Sequence, residues 1–389
     1  MGTTLGVVFF APGGAIAAPP PPLQPEVSDV ATLPPAGPHR FVTMTWRQGA
    51  IIYDADSGKI EGQVPTAPGS ALRTAKDNSQ FYVAETLWTH GNRGTRQDLL
   101  SVYDGKTLNL VKEIELPGRL IVSSKLQDLE LSASGKRAYV YNMHPASSVV
   151  WVDLSKLAVG GTVETPGCAL IFPWGEDGFS SLCADGSMAT VSIAAEGPAK
   201  ITHSKPFFDA INDPIFDNSL ADRATNKALF LSYTGLIYSA TLGATPVIEK
   251  PWSIQSAAGQ RPPGTGIEEL AWRPGGVQPI AWHKDSGRLF VLMHPGNYWS
   301  HRDGGTEVWV LNRETHALIT RFPVLFKPES TAADVRTTAV RSITVSQHDH
   351  PQLFLMNSSG GVTVMDADTG EVLRKIDDAE GNSTIVPDA

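Results

Sequence analysis

Ala50-Ile-Ile-Tyr-Asp54, Leu100-Ser-Val-Tyr-Asp104, Val149-Val-Trp-Val-Asp153, Met188-Ala-Thr-Val-Ser192, Leu236-Ile-Tyr-Ser-Ala240, Glu307-Val-Trp-Val-Leu311 and Val362-Thr-Val-Met-Asp366 are seven versions of one phrase. Each is a β-rich run, often ending in Asp, followed by a turn and a second β-rich run. The first and last continue almost identically, as Ala55-Asp-Ser-Gly-Lys59 and Ala367-Asp-Thr-Gly-Glu371. The fifth positions lie 50, 49, 39, 48, 71 and 55 residues apart, a mean of about 52. Short strands recurring at this period read as propeller blades. The expected fold is therefore all-β, a seven-bladed β-propeller over residues 39–389.

A second recurring phrase precedes each copy: a small or polar turn, then alternating apolar residues, as in Ser134-Gly-Lys-Arg-Ala-Tyr-Val-Tyr141 and Asp285-Ser-Gly-Arg-Leu-Phe-Val-Leu292. Period-two alternation gives strand two of a blade, the repeated phrase strand three, and runs such as Leu110-Val-Lys-Glu-Ile-Glu-Leu116 strand four. Strand one is expected at Leu126 to Leu131 and at Arg341 to Val345. The first blade enters at Arg40-Phe-Val-Thr-Met-Thr45, which already reads as strand two. Its inner strand is expected from the tail, Ser383-Thr-Ile-Val386, closing the ring between the two chain ends and leaving no open edge. The long interval before the sixth phrase is assigned to a Pro/Gly loop over Gln255 to Gly276, and Trp88 to Gln97 is read as a similar excursion.

Net charge is −9 and no Lys/Arg run stands out. Nucleic-acid binding, which needs clustered positive charge, is disfavoured. Leu5 to Phe10 is an apolar run and Ala15-Ile-Ala17 a small-x-small site, together reading as a secretory signal over residues 1–18, although no Lys or Arg precedes Leu5. A stiff Pro-rich linker is expected over residues 19–38. No segment is apolar for long enough to span a membrane, and the expected location is the periplasm. The two cysteines, Cys168 and Cys183, fall on adjacent strands of one blade around the Trp174-Gly-Glu-Asp-Gly178 turn. In an exported protein they are expected to pair, a cross-link worth about 3 kcal/mol in the chain-entropy account. The other reading is two buried free thiols.

Catalytic chemistry is not legible. The ten histidines are scattered; the densest group, His348-Asp-His350, falls on an expected outer turn, and no metal site is assigned. His294-Pro and His144-Pro both follow a second strand and could share one end of the ring. There is no nucleophile elbow, P-loop or dinucleotide fingerprint in a suitable context, and no carboxylate pair is singled out. Trp46, Trp88, Trp174, Trp252, Trp272 and Trp299 fall in or beside expected loops and together suggest a docking face, while each singly could pack between blades.

Several segments in order carry a more specific signal: Tyr103-Asp-Gly-Lys-Thr-Leu108 with Ile114-Glu-Leu-Pro117, Arg93-Gly-Thr-Arg-Gln-Asp98, Cys168 with Cys183-Ala-Asp-Gly-Ser187, Ser232-Tyr-Thr-Gly-Leu-Ile-Tyr238, and Trp272-Arg-Pro-Gly-Gly276 followed by His283-Lys-Asp-Ser-Gly-Arg288. With them the chain, from about Arg40 onward, resembles the heavy subunit of the bacterial quinoprotein amine dehydrogenases, of methylamine and aralkylamine type. The resemblance implies a propeller subunit in a periplasmic α2β2 assembly. It implies a small, disulfide-rich light subunit carrying tryptophan tryptophylquinone and the catalytic base, so that this chain holds no cofactor and no catalytic residue. Primary amines would be oxidised to aldehyde and ammonia, with electrons leaving to a cupredoxin such as amicyanin or azurin, or to a c-type cytochrome. In the methylamine type a heavy-subunit Phe just after the first strand borders the substrate channel; here that loop is shorter and Trp46 is the nearest aromatic, so Trp46 and Met44 are the expected channel residues. Asn212-Asp-Pro-Ile-Phe216, Pro251-Trp-Ser253 and Met293-His-Pro295 look more like the aralkylamine type, Trp272-Arg-Pro-Gly-Gly276 more like the methylamine type, and the balance leans toward larger amines. The contrasting reading is a stand-alone periplasmic propeller, a binding scaffold or a lactonase-like hydrolase.

Overall fold

The Asp that closes the repeated phrase explains itself in the turn that follows. In this computed structural model, which describes Gly2 and residues 32–385 except 121–122, 124, 144, 195–196, 325–338, 359 and 382, the carboxylate of Asp104 accepts from the backbone N–H of Lys106 (3.0 Å) and Thr107 (2.7 Å) and from the Thr107 hydroxyl (2.9 Å). Asp366 does the same with Asp368, Thr369 and the Thr369 hydroxyl at 2.9, 2.7 and 3.0 Å. Asp54, Asp153 and Asn312 cap equivalent turns. Four residues after each of these five, the chain takes a left-handed conformation, at Gly58 (φ 73°), Leu108 (57°), Leu157 (49°), His316 (57°) and Gly370 (76°). A register shift between strands three and four precedes each turn, between residues 52 and 53, 102 and 103, 151 and 152, 310 and 311, and 364 and 365. Capped turn and bulge together sharpen the twist of the outer strand.

These hairpins build seven antiparallel sheets in sequence, the blades of a β-propeller. The third blade is typical: Leu129–Leu131, Arg137–Met143, Ser147–Asp153 and Ala158–Glu164, from axis to rim. Alternate side chains fill the space between neighbours. Leu100 and Val102 of the second blade pack with Val140, Val150 and Val152 of the third, and Phe172 meets Phe230 of the next blade edge to face at 5.0 Å. The first blade takes its innermost strand from the tail. Ser383–Ile385 pairs antiparallel with Arg40–Thr45, with Val42 opposite Ile385 and Met44 opposite Ser383. The ring is closed as the sequence requires.

The described part of the expected linker lies against the first and second blades. Leu33 is buried there, its N–H donates to the Lys106 carbonyl at 2.7 Å, and the Arg40 guanidinium donates to the Pro34 carbonyl at 2.8 Å. The expected signal segment, residues 1–18, and the rest of the linker fall outside the described residues, Gly2 excepted. Among the described residues no helix is long and apolar enough to cross a membrane.

Three local expectations change. Trp88 to Gln97 is not an irregular loop. Strands Gln80–His90 and Arg93–Asp104 continue through it as one hairpin, with Trp88 opposite Arg96 and His90 opposite Arg93. The Arg96 guanidinium forms an ion pair with Asp98 at 2.6 Å, donates to the Leu120 carbonyl at 2.9 Å and lies over the Trp88 ring, so polar residues hold what an apolar stripe usually holds. Within Gln255 to Gly276, Ala271–Pro274 is a strand on the extended Arg288–Gly296, and the segment opens with a helical turn, Ile254–Ala257, capped by the Ser253 hydroxyl. Leu126–Asp128 is a 3-10 turn and only Leu129–Leu131 is strand.

Candidate functional site

Antiparallel blades place the connections between strands two and three, and those from strand four to the next blade, at one end of the ring. Among the described residues the exposed large apolar side chains sort by this rule. Ile60, Leu110, Val111, Val159, Ile201, Val247, Ile319, Val372 and Leu373 sit on outermost strands. The other six, Trp46, Met143, Ile211, Ile267, Leu270 and Trp299, all belong to that one end. Ile211 and Leu270 are 78% and 79% exposed, and Trp46 and Trp299 just over half. Apolar side chains gathered at one end of the ring are the kind of exposure that interaction surfaces show.

An aromatic bed supports the densest part of this surface. The Tyr233 ring stacks on His301 at 4.0 Å, Phe216 meets Tyr233 at 4.7 Å, and Tyr298 meets Trp299 at 4.6 Å. The Tyr298 hydroxyl donates to the Asn212 carbonyl, beside Ile211. The Arg273 guanidinium lies over the Tyr298 ring and donates to the Gly264 carbonyl at 2.8 Å, tying in the segment that carries Ile267 and Leu270. Four connections of the fourth to sixth blades are thereby joined. Beneath them Asp213 accepts from the Thr234 N–H (2.8 Å) and hydroxyl (2.7 Å), and burial raises its pKa.

His294 is the buried base of this bed. Its Nε2 lies 2.9 Å from the Ser300 hydroxyl, which itself donates to the Asn297 carbonyl at 2.6 Å. The hydroxyl proton is thus committed, so Nε2 carries the imidazole proton and Nδ1, which has no partner, is the bare nitrogen. Burial holds the pKa down to about 4, with Arg273 pushing the same way and Asp303 opposing. Gly275 must be glycine for this packing: a Cβ there would stand 2.6 Å from His294 Nδ1 and 2.3 Å from the Asp303 carbonyl oxygen.

The expected site residues separate. Trp46 stands exposed on its turn at this same end, whereas Met44 packs inside the first blade with Val42 and Ala50. Of the six tryptophans expected at a docking face, only Trp46 and Trp299 are open. Trp88 covers Arg96, Trp252 stacks on His316 at 4.6 Å, and Trp272 packs against Trp309 and Arg321. Trp174 ends the strand Cys168–Trp174 at the opposite end of the ring. Tyr233, Tyr298, His301, Ile211 and Leu270 were not singled out from the sequence; the one available signal was the aromatic pair Tyr298-Trp299 within a polar connection.

Cys168 and Cys183 are directly paired across adjacent strands and joined by a disulfide. Among the described residues the one grouping of metal-ligand type is these two cysteines with His203, and the disulfide removes both thiols from coordination. His348 and His350 serve through their main chain: their carbonyls accept from His283 Nε2 (3.1 Å) and His39 Nε2 (3.2 Å). His144 lies outside the described residues.

Residues 36–388 match the family model described as methylamine dehydrogenase heavy chain (MADH). The methylamine dehydrogenase heavy chain of Paracoccus versutus is 30% identical over 352 residues, covering 87% of this chain and 75% of that protein. That of Methylophilus methylotrophus is 26% identical, covering 92% and 84%. Among solved structures, a dihydro-heme d1 dehydrogenase aligns over 90% of this chain and 75% of its own, with TM-score 0.54 and 14% identity. The hydrazine synthase of Kuenenia stuttgartiensis aligns over 89% and 99%, with TM-score 0.51 and 12% identity. Likenesses at that identity speak to the propeller alone.

Proposed function

We propose, from the premise that this chain belongs to the methylamine dehydrogenase heavy chain family, that it is the scaffolding subunit of a periplasmic amine dehydrogenase. The observation that carries the reading is the apolar, aromatic-bedded end of the ring, where six exposed large apolar side chains gather on loops. Its occupant is a small light subunit bearing tryptophan tryptophylquinone made from two of that subunit's own tryptophans. The quinone supplies the two-electron oxidation of a primary amine to aldehyde and ammonia, with electrons passed on to a cupredoxin or a c-type cytochrome. This chain contributes binding and exclusion of water. Trp299, Leu270 and Ile211 anchor the partner, and Trp46, with Met44 packed beneath its loop, borders the path by which amine arrives.

The test is coexpression with a small, cysteine-rich light subunit of the methylamine dehydrogenase type, sought first among the genes beside this one. The reading expects a stable heterotetramer with amine-dependent dye reduction, and no activity from this chain alone. A lone chain that oxidises amines, or one that stays monomeric beside that partner, would overturn it. In the assembled complex Trp46→Ala shifts the preference between methylamine and aromatic amines; kinetics unchanged from wild type for both would remove Trp46 from the amine path.

A further inference from the structure

The fourth blade holds a grouping that the amine dehydrogenase reading does not use. Cys168 opens the strand Cys168–Trp174 and lies directly opposite Cys183, the last residue of Gly178–Cys183. Farther out, Ser181 is paired with Ala189 of Met188–Ser192, and Ala189 with His203 of Lys200–His203. Residues paired across a sheet share a face, and so do residues two apart on one strand. Cys183 therefore stands on the same face as Ala189 and His203. Ala189 is buried against both cysteines and puts only a methyl group between them and the histidine. The imidazole reaches over it: one ring nitrogen of His203 and the two sulfurs all lie within 4.8 Å of one another.

In the cross-linked chain this is a disulfide beside an imidazole. Every newly made chain, however, carries two thiols at these positions. A dithiol reductant also regenerates them: it gives up two electrons and two protons, the S–S bond breaks, and the reductant becomes a disulfide. Two thiolates and a neutral imidazole select a soft, thiophilic ion such as Zn²⁺ or Cu⁺ over calcium or magnesium. Bonds of about 2.3 Å to sulfur and about 2.0 Å to nitrogen put the ligand atoms of one tetrahedral ion roughly 3.5–3.7 Å apart. Parting of the sulfurs by rotation about their Cα–Cβ bonds brings the three atoms to that span.

Burial divides the work among the ligands. Cys168 and Cys183 are 3% and 5% exposed, so the sulfurs anchor an ion within the blade. His203 is exposed and gives the site a side open to solvent, by which the ion enters and a water completes its shell.

We propose that the thiol form of this chain binds one thiophilic metal ion through Cys168 Sγ, Cys183 Sγ and a ring nitrogen of His203, and that ion and disulfide are alternative occupants of one position. Binding releases the two thiol protons to solvent. An oxidant disulfide then takes the electron pair, the S–S bond closes and the ion leaves. The site needs no partner subunit, so its fate does not decide the assignment above.

The test uses the full chain, expressed and purified under a phosphine reductant so that the thiols stay open, beside the oxidised chain. Both are titrated with Zn²⁺ against a chromophoric chelator. One ion per thiol-form chain and none per oxidised chain is expected. Co²⁺ in place of Zn²⁺ should show thiolate-to-metal charge-transfer absorption. His203→Gln, at an exposed position, should fold normally and bind Zn²⁺ about tenfold more weakly. Bound Zn²⁺ should also slow disulfide closure by oxidised glutathione. A thiol-form chain that lacks β-sheet circular dichroism, a folded one that takes up no ion, equal uptake by the oxidised chain, or wild-type affinity in His203→Gln would each overturn the proposal.

Discussion

His301 and Tyr233 stack at 4.0 Å between ring centroids and 14° from parallel, joining the strand-two-to-three connections of the sixth and fifth blades. Burial lowers the His301 pKa and raises that of Tyr233, so both rings are neutral near pH 7 and the stack carries no charge to be solvated. Trp299 rests against this pair, 6.2 Å from His301. Its indole is therefore presented by a packed base, not by a loop that must order on binding. An aromatic anchor held in advance loses little side-chain entropy at an interface.

Trp299→Ala is accordingly expected to weaken light-subunit binding by about 2 kcal/mol, roughly thirtyfold, while the melting temperature of the isolated chain stays nearly unchanged. Titration of the purified subunits measures the first and calorimetry the second. Loss of binding together with loss of folding would assign Trp299 to the core instead.

Removing residues 382–389 takes the innermost strand from the first blade. The backbone of Arg40–Thr45 then presents an unpaired edge to the channel, and buried Val42 and Thr43 lose their cover. The truncated chain should melt well below the full chain and aggregate on concentration, and adding the excised segment as a free peptide should restore part of the loss. A truncated chain with an unchanged melting temperature would show that the closure is ornamental.

His294 gives stability a pH dependence of known sign. Its folded pKa of about 4 lies below the unfolded value of about 6.5, so between them the unfolded chain binds more protons and acid favours unfolding. The contribution is complete above about pH 6.5 and declines toward pH 4, by roughly 3 kcal/mol in all. Asp128, buried and raised to about 6, acts oppositely, losing stability as pH rises through that range, so the whole protein is a poor readout. The difference between wild type and His294→Gln isolates the term. It should shrink steadily from pH 7 to pH 4 in urea titrations, and a flat difference would mean that His294 is not held neutral.

The sequence announced the ring because its repeat is a local device. Asp104 with Thr107 and Asp366 with Thr369 close their own turns within four residues, and strand alternation needs nothing from afar. The tail strand Ser383–Ile385 was also legible, since a blade beginning at strand two must be completed from the other end. The aromatic bed was not. Tyr233 comes from the fifth blade and Tyr298 and His301 from the sixth, and only the packing of the two blades brings Tyr233 within 4.0 Å of His301. The hairpin through Trp88 to Gln97 was missed for a different reason. Thr86 on one strand bonds Asp98 and Arg96 on the other, which are themselves ion-paired, and composition reads such side chains as loop.

Gly370 and Leu157 occupy equivalent places in the seventh and third blades and should respond unequally to exchange. Both are left-handed, φ 76° and 49°. Gly370 also lies under the Phe322 ring, where a Cβ would stand 2.3 Å from Cδ1. Gly370→Ala therefore meets backbone strain and a packed ring together and is expected to cost about 2 kcal/mol. Leu157→Gly relieves a strain of about 1 kcal/mol and forfeits only a half-buried side chain, so its net change should stay within about 1 kcal/mol. Urea denaturation of the two variants decides the matter. A loss at Leu157 as large as that at Gly370 would show that the turn conformation is set by packing, and not by the capped, left-handed device that the repeated Asp builds.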